Sequence, residues 1–160
     1  MACVDWGVVG SAVEGEAFES FFAVAEPRLR RALVAAYGFD RGREAAAEAL
    51  AWAWEHWPDL QSKENPVGYI YRIGERRTRR RGIPTTYVPN EVHEPWFEPA
   101  LAAALDSLTR RQRLAVVLVY GYGWQLREVA ETCGLAVTTV QNHLERGLAK
   151  LRTALEVSGS

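Results

Sequence analysis

The sequence contains few of the residues that build disulfide-rich, zinc-binding or membrane-spanning proteins. Among 160 residues it has two cysteines, Cys3 and Cys133, which are too few for a disulfide framework, and no Cys/His spacing resembles a zinc site. The longest stretch without charge, residues 114–126, is shorter than the roughly 18 residues that indicate a membrane span. The first ten residues lack the basic start of a secretory signal. We therefore expect a cytoplasmic protein with no membrane insertion.

Recognisable catalytic motifs are also missing. The sequence has no Ser/His/Asp, Cys/His or paired-carboxylate arrangement, and no glycine-rich phosphate loop precedes a predicted helix. His56 and His93 have no partner at ligand spacing. The sequence therefore predicts neither an enzyme nor a cofactor or metal site.

The chain as a whole has almost no net charge, since its 19 basic and 20 acidic residues give −1. This balance conceals a segregated pattern. Residues 1–71 have a net charge of −5 and residues 82–105 one of −3, whereas residues 72–81 hold six arginines and one glutamate, a net charge of +5. Such a density of positive charge is typical of a phosphate-binding surface.

The hydrophobic periodicity predicts an all-α protein of two small helical domains. Apolar residues at spacings of three and four predict a helix over residues 18–37, which Pro27 should kink or split. An alanine-rich helix over 44–57 follows, with Asp40 as an upstream N-cap, and Asn65-Pro66 should begin a third helix. We expect an N-terminal tail at 1–17, the first domain at 18–81, an acidic proline-rich linker at 82–99 and the second domain at 100–155.

The second domain ends in a predicted helix-turn-helix. A helix over 126–133, a turn at Gly134 and a longer helix over about 137–155 with apolar Val140, Leu144, Leu148 and Leu151 fit that motif. Its second helix exposes residues that can contact base edges, namely Thr138, Thr139, Gln141, Asn142 and Glu145. Arg146, Lys150 and Arg152 are placed for phosphates. An ordinary solvated face is the alternative interpretation.

These residues carry a resemblance to a known family. Residues 108–120, 126–131, 134–140 and 144–148 resemble region four of an extracytoplasmic-function (ECF) sigma factor. The motif Asn65-Pro-Val-Gly-Tyr-Ile-Tyr-Arg-Ile73, with the arginines after it, resembles the promoter-binding end of region two, and residues 18–31 and 47–57 resemble its start. The resemblance implies an initiation subunit that recruits core RNA polymerase to promoter DNA, with an anti-sigma factor as a further partner.

The resemblance also assigns residues to these partners. The helix that resembles the clamp-binding helix would contact polymerase through Glu48, Trp52 and Glu55. The next helix would bind the melted minus-ten element, which requires stacking platforms and cations, through Tyr69, Tyr71, Arg72, Arg76, Arg77, Arg79 and Arg80. The recognition helix would read the duplex minus-thirty-five element through Thr138, Thr139, Gln141, Asn142, His143, Glu145, Arg146 and Lys150.

Several alternatives remain open at this point. Residues 139–144 also resemble the recognition helix of LuxR-type regulators, although that interpretation leaves residues 18–81 unexplained. A degenerate sigma factor that binds polymerase without opening DNA is a third hypothesis, which the alanine-rich docking helix favours. Tyr69 is as well explained by core packing as by stacking. Ala136 stands where the family usually has a capping serine, and a lost cap weakens a helix by about 1 kcal/mol.

Overall fold

The computed structural model describes residues 6–81 and 99–159. Within these two ranges every regular element is a helix, which confirms the predicted all-α class. The proline-rich linker predicted at 82–99 lies, apart from its last residue, outside the described part of the chain. None of the described helices is long and apolar enough to cross a membrane.

The first helix, α1, spans Trp6–Tyr37. It begins well before residue 18, so most of the segment predicted as a tail is helical. Pro27 lies inside α1 and does not split it, because its missing N–H removes only one bond of a long ladder. Leu29 and Leu33 of α1 are fully buried.

Helix α2 spans Phe39–Glu55 and packs along α1. The prediction that Asp40 caps this helix is wrong, since the N-cap is Gly38 at φ 86° and Asp40 lies in the first turn. Gly42 of α2 is buried so close to α1 that a Cβ would lie 2.4 Å from the backbone of Val34. The alanines of α2 are small enough for close packing, and Ala45 and Ala49 are buried in the core.

A short helix, α3 (Trp57–Leu60), leads to α4, which spans Pro66–Arg80. The predicted cap of α4 is confirmed, because Oδ1 of Asn65 accepts a hydrogen bond of 3.0 Å from the Gly68 amide. Pro66 occupies the first turn, where its missing N–H has no cost. Helix α4 packs mainly against α2, so the arginine-rich segment is a continuation of a well-anchored helix.

The remaining helices follow the linker. Helix α5 spans Pro99–Asp106, and α6 spans Arg110–Val116 and continues as a π-helical turn to Gly121. Thr109 and Gln112 form a reciprocal capping box at the start of α6, which fixes its first residue. Helix α7 spans Leu126–Cys133, and Gly134 ends it in the left-handed conformation at φ 64°.

Helix α8 spans Val137–Ser158 and completes the predicted helix-turn-helix. Val140 and Leu144 are buried, while Leu148 and Leu151 are partly buried against the same core. Ala136 occupies the N-cap and makes no side-chain cap bond, as the sequence indicated. The buried apolar residues of α1–α4 and of α5–α8 form one continuous cluster, so the two groups of helices are in direct contact.

Candidate nucleic-acid interface

The arginines of α4 divide into two groups by their partners. Arg77 lies 3.8 Å from the Glu48 carboxylate, and Arg81 just beyond the helix lies 2.6 Å from Glu48 and 2.8 Å from Glu44. All of these carboxylates belong to α2. Arg77 was predicted to bind DNA, but its charge is partly neutralised within the first group of helices.

The other arginines of α4 have no carboxylate partner among residues 6–81 and 99–159. Arg76, Arg79 and Arg80 are exposed. Nη2 of Arg72 donates a hydrogen bond of 2.6 Å to the Gly134 carbonyl at the end of α7, which leaves the guanidinium charge uncompensated. These four cations keep the predicted capacity to bind phosphate.

The two tyrosines predicted to stack on bases have opposite environments. Tyr69 is 41% exposed, and its ring lies 5.7 Å from that of Trp52 and 5.4 Å from Nζ of Lys63. Tyr71 is only 3% exposed, and burial raises its pKa well above the usual 10. Tyr71 therefore does not present a stacking surface in this structure, which corrects that prediction, whereas Tyr69 does.

The predicted recognition helix carries an exposed polar surface. Thr138, Gln141, Asn142, Glu145, Arg146 and Lys150 are exposed, whereas Thr139 is half-buried. Nε2 of Gln141 donates a hydrogen bond of 3.1 Å to Glu145, a contact that base edges would replace. His143 is half-buried, and burial together with Arg111 and Arg146 lowers its pKa below 6.5. The imidazole is therefore neutral at pH 7 and does not add a cation for phosphate.

The residues predicted to bind polymerase lie on one side of α2, at spacings of four and three residues, but they have different environments. Glu48 pairs with arginines of the first group of helices, the half-buried Trp52 stacks on His56 at 4.2 Å, and Glu55 is exposed. The structure instead places Trp54, 56% exposed, beside the exposed Phe22 of α1. Both line a groove of about 460 Å³ between α1 and α2.

The two groups of helices are joined by hydrogen bonds in which side-chain N–H groups donate to backbone carbonyls. The buried Arg113 of α6 donates to the carbonyls of Ala36 at 2.9 Å and Ala35 at 3.4 Å. These carbonyls belong to the last turn of α1, where oxygens lack intrahelical partners and carry partial negative charge. Similarly, Nδ2 of Asn65 donates to the Glu131 carbonyl of α7 at 2.7 Å.

Small and buried groups complete this contact. A Cβ on Gly68 would lie 3.0 Å from the Glu131 carbonyl, so α4 and α7 approach closely there. Cys133 of α7 is buried next to Tyr71, and burial raises its pKa to about 12. The thiol is therefore protonated and unreactive while it is buried. Sequence reasoning missed Arg113, since a charged residue in an apolar helix gives no local signal of burial.

Comparison with known proteins extends over both groups of helices. Residues 99–151 match the family model described as sigma-70, region 4. The chain is 29% identical over 152 residues to the ECF RNA polymerase sigma factor EcfG of Rhodopseudomonas palustris, covering 85% of this chain and 83% of that one. It is 28% identical over 120 residues to an RNA polymerase sigma-E factor of Streptomyces antibioticus, covering 68% and 67%.

A solved structure shares the fold. The sigma factor RpoE of Bartonella quintana, crystallised in complex with the anti-sigma factor NepR, matches with a TM-score of 0.61 at 20% identity, covering 89% of this chain and 98% of that one. The similarity therefore includes α1–α4 as well as the helix-turn-helix.

Proposed function

We propose that the chain is an ECF sigma factor, which binds core RNA polymerase and directs it to promoter DNA in the cytoplasm. The observation that carries this proposal is that the residues matching sigma region 4 are the ones that fold into the helix-turn-helix. The family resemblance that the motifs indicated is confirmed by relatives that cover most of the chain. Sigma factors are not an enzyme family.

The recognition helix α8 would read the duplex minus-thirty-five element. Gln141 and Asn142 can pair bidentately with adenine, and the Thr138 methyl can contact thymine. Arg146 and Lys150 would bind phosphates and so set the register. Because His143 is neutral at pH 7, we assign it no phosphate contact.

Helix α4 would bind the melted minus-ten element. Tyr69 offers an exposed ring for stacking, and Arg72, Arg76, Arg79 and Arg80 offer charge that no described carboxylate neutralises. Single-stranded DNA requires this combination of aromatic and basic groups. Arg77 is assigned a secondary role, because its ion pair with Glu48 must weaken before it binds DNA.

Core polymerase would contact α2 and its surroundings. Glu48, Trp52 and Glu55 remain the assigned residues. The exposed rings of Trp54 and Phe22 would form an apolar anchor of the kind common at binding hot spots. An anti-sigma factor is a further proposed partner, since the related sigma factor of Bartonella quintana was crystallised with one.

Residues 18–81 and 100–155 would act as separate domains on the promoter, joined by the segment at 82–99. In this structure α7 contacts Arg72 and covers Tyr71. Tyr69, Arg76, Arg79 and Arg80 are exposed in this arrangement, whereas Arg72 becomes free to bind the promoter only when α7 moves away. Separation breaks the bonds from Arg113, Asn65 and Arg72, which the contacts with polymerase and DNA must replace.

The test is transcription with reconstituted core polymerase on a promoter library. We expect specific start sites, and permanganate footprints should show an open bubble. The variant Arg76→Ala/Arg79→Ala/Arg80→Ala should lose the bubble but keep polymerase binding, whereas the exposed Arg127→Ala on α7 should leave both unchanged. An unchanged bubble in the triple variant would refute the role of α4.

Two outcomes would favour the other functions. Polymerase binding without any transcript would indicate a degenerate sigma factor. Sequence-specific duplex binding without polymerase affinity would indicate a LuxR-type regulator, although the relatives match residues of both groups of helices, which that function does not explain.

A further inference from the structure

A positively charged cleft lies where the two groups of helices meet. Its volume is about 240 Å³, and a water molecule occupies about 30 Å³ in the liquid, so it has room for a compact polyatomic ion. One wall comes from α4 and the other from α6, α7 and the turn after α7. The lining residues are Arg72, Glu75, Arg76, Arg79, Arg111, Cys133 and Leu135.

The charges that line the cleft do not cancel. Four arginines face one glutamate, a net charge of +3. Arg76, Arg79 and Arg111 have no ion-pair partner in the described ranges, and Arg72 donates only to the neutral Gly134 carbonyl. Arg77, one residue from Arg76, shows the contrast, since it reaches Glu48. The carboxylates of α2 therefore pair with the side of α4 that carries Arg77. They do not compensate the positive charge of the cleft.

The fold itself brings these charges together. Arg72, Arg76 and Arg79 belong to α4, whereas Arg111 comes from α6 in the second group of helices. Docking the two groups thus concentrates like charges, which repel one another. The electrostatic influence of Arg111 also reaches its neighbours, since it contributes to the lowered pKa of His143 and opposes the raised pKa of Cys133.

We propose that this cleft is a binding site for a compact phosphate anion carrying at least two negative charges, held between α4 and α6. Guanidinium groups bind phosphate oxygens through paired N–H donors, and they remain charged at any physiological pH. A single carboxylate would leave most of the +3 charge uncompensated, whereas a doubly or triply charged phosphate would balance it. Inorganic phosphates and the terminal phosphates of nucleotides share this chemistry.

Because its two walls belong to different groups of helices, the site exists only while they are docked. A ligand that binds the docked form alone stabilises it by mass action. Three of the four cleft arginines, Arg72, Arg76 and Arg79, are also proposed to bind the minus-ten strand. The anion would therefore compete with promoter DNA for them. This regulatory consequence rests on the proposed function, whereas anion binding does not.

The experiment uses the full chain without polymerase and inorganic pyrophosphate as the probe. In a Cys3→Ser background, Cys133 is the one remaining thiol, and because it lines the cleft, an anion bound there blocks its alkylation as well as holding α7 against α4. Calorimetric titration at constant ionic strength gives the affinity. At ten times Kd, mass action reduces the undocked population, and hence the alkylation rate, by about elevenfold.

Two variants with the same change of charge make the test specific. Arg111→Gln should abolish both the binding heat and the protection of Cys133, whereas Arg127→Gln, an exposed position of α7 outside the cleft, should retain both. Absence of binding heat would overturn the proposal, as would equal binding by the Arg111→Gln variant.

A second probe separates the sources of phosphate. Protection of Cys133 by a short single-stranded oligonucleotide but not by pyrophosphate would overturn the assignment to a compact anion. Since neither probe involves polymerase, a failure here leaves the transcription result intact. Conversely, a failure of transcription would leave a measured anion affinity unchanged.

Discussion

Helix α4 contacts α2 on one side and α7 on the other, and the two contacts have different chemistry. Toward α2, Arg77 and Arg81 meet the carboxylates of Glu44 and Glu48. Toward α7, Asn65 and Arg72 meet backbone carbonyls. Carbonyls at a helix end satisfy a donor but carry only partial charge. In the first contact a carboxylate therefore compensates the arginine charge, whereas in the second contact the charge is not compensated.

The difference teaches how one run of arginines can have two roles. The side toward α2 attaches the basic segment to the first group of helices, and the side toward α7 remains attractive to anions. The contact between the two groups of helices also includes Arg113, whose guanidinium donates to the carbonyls of Ala35 and Ala36 in the last turn of α1. Experiments can therefore test whether the carbonyl contacts or the ion pairs contribute more to stability.

The largest effect is expected at Arg113. Arg113→Ala removes a buried guanidinium and leaves two carbonyls of α1 without a donor, which should lower the free energy of unfolding by about 2–3 kcal/mol. Urea denaturation measures the loss. The control Arg127→Ala, at an exposed position, should change stability by less than about 0.5 kcal/mol. Equal effects of the two variants would show that the carbonyl contacts do not stabilise the fold.

A smaller effect is expected at Asn65. Asn65→Asp keeps the acceptor that caps α4 but replaces the donor to Glu131 with a carboxylate oxygen, so docking should weaken by about 1 kcal/mol. In the Cys3→Ser background, alkylation of Cys133 should accelerate about fivefold, since about 1.4 kcal/mol corresponds to tenfold. Gln61→Glu makes the same chemical change at an exposed position and should not alter the rate. An unchanged rate in Asn65→Asp would remove this residue from the contact.

On the opposite side of α4, Glu48→Gln should have only a modest effect. The ion pairs are partly exposed, with 25% of the Glu48 side chain and 48% of the Arg81 side chain accessible, so solvent screens them. We expect a loss of at most about 1 kcal/mol at low salt and less at molar salt, where charges are screened over a few ångströms. Urea denaturation at both salt concentrations checks this. If Glu48→Gln lowered the free energy of unfolding as much as Arg113→Ala does, the ion pairs would contribute as much to stability as the carbonyl contacts, against our expectation.

The smallest effect concerns the titration of His143. Its pKa should lie below 6.5, and Arg111→Gln should raise it toward that value, while Arg127→Gln should not. NMR titration of the imidazole signals measures both. Since the unfolded chain binds the proton more tightly, the contribution of His143 to stability is present above pH 6.5 and declines as the pH falls through the unfolded pKa. A pKa at or above 6.5 in the parent chain would contradict the proximity of Arg111.

Local signals in the sequence predicted much of the fold. Asn65 and Gly134 mark helix ends through a side chain and through backbone freedom, and the structure confirms both. The Asp40 cap was wrong because Gly38, two residues earlier, already begins α2. Pro27 was expected to kink or split α1, but the helix continues through it, with Ala25 and Leu29 buried on either side.

The candidate site was predicted less completely, because its environment depends on distant residues. Periodicity alone could not distinguish the buried Tyr71 from the exposed Tyr69, since the helix that covers Tyr71 comes from beyond the linker. Likewise, Arg76 and Arg77 are adjacent in the same motif, and only the position of Glu48 on α2 separates their roles.

By itself the sequence determined the helices, most of their caps and the resemblance to sigma factors, since these depend on residue types at short spacing. Only the tertiary structure decided which arginines of residues 72–81 remain charged toward solvent and which aromatic rings remain exposed. The physical reason is that charge compensation and burial depend on which helix lies opposite. In this protein, helices on both sides of the linker supply those neighbours.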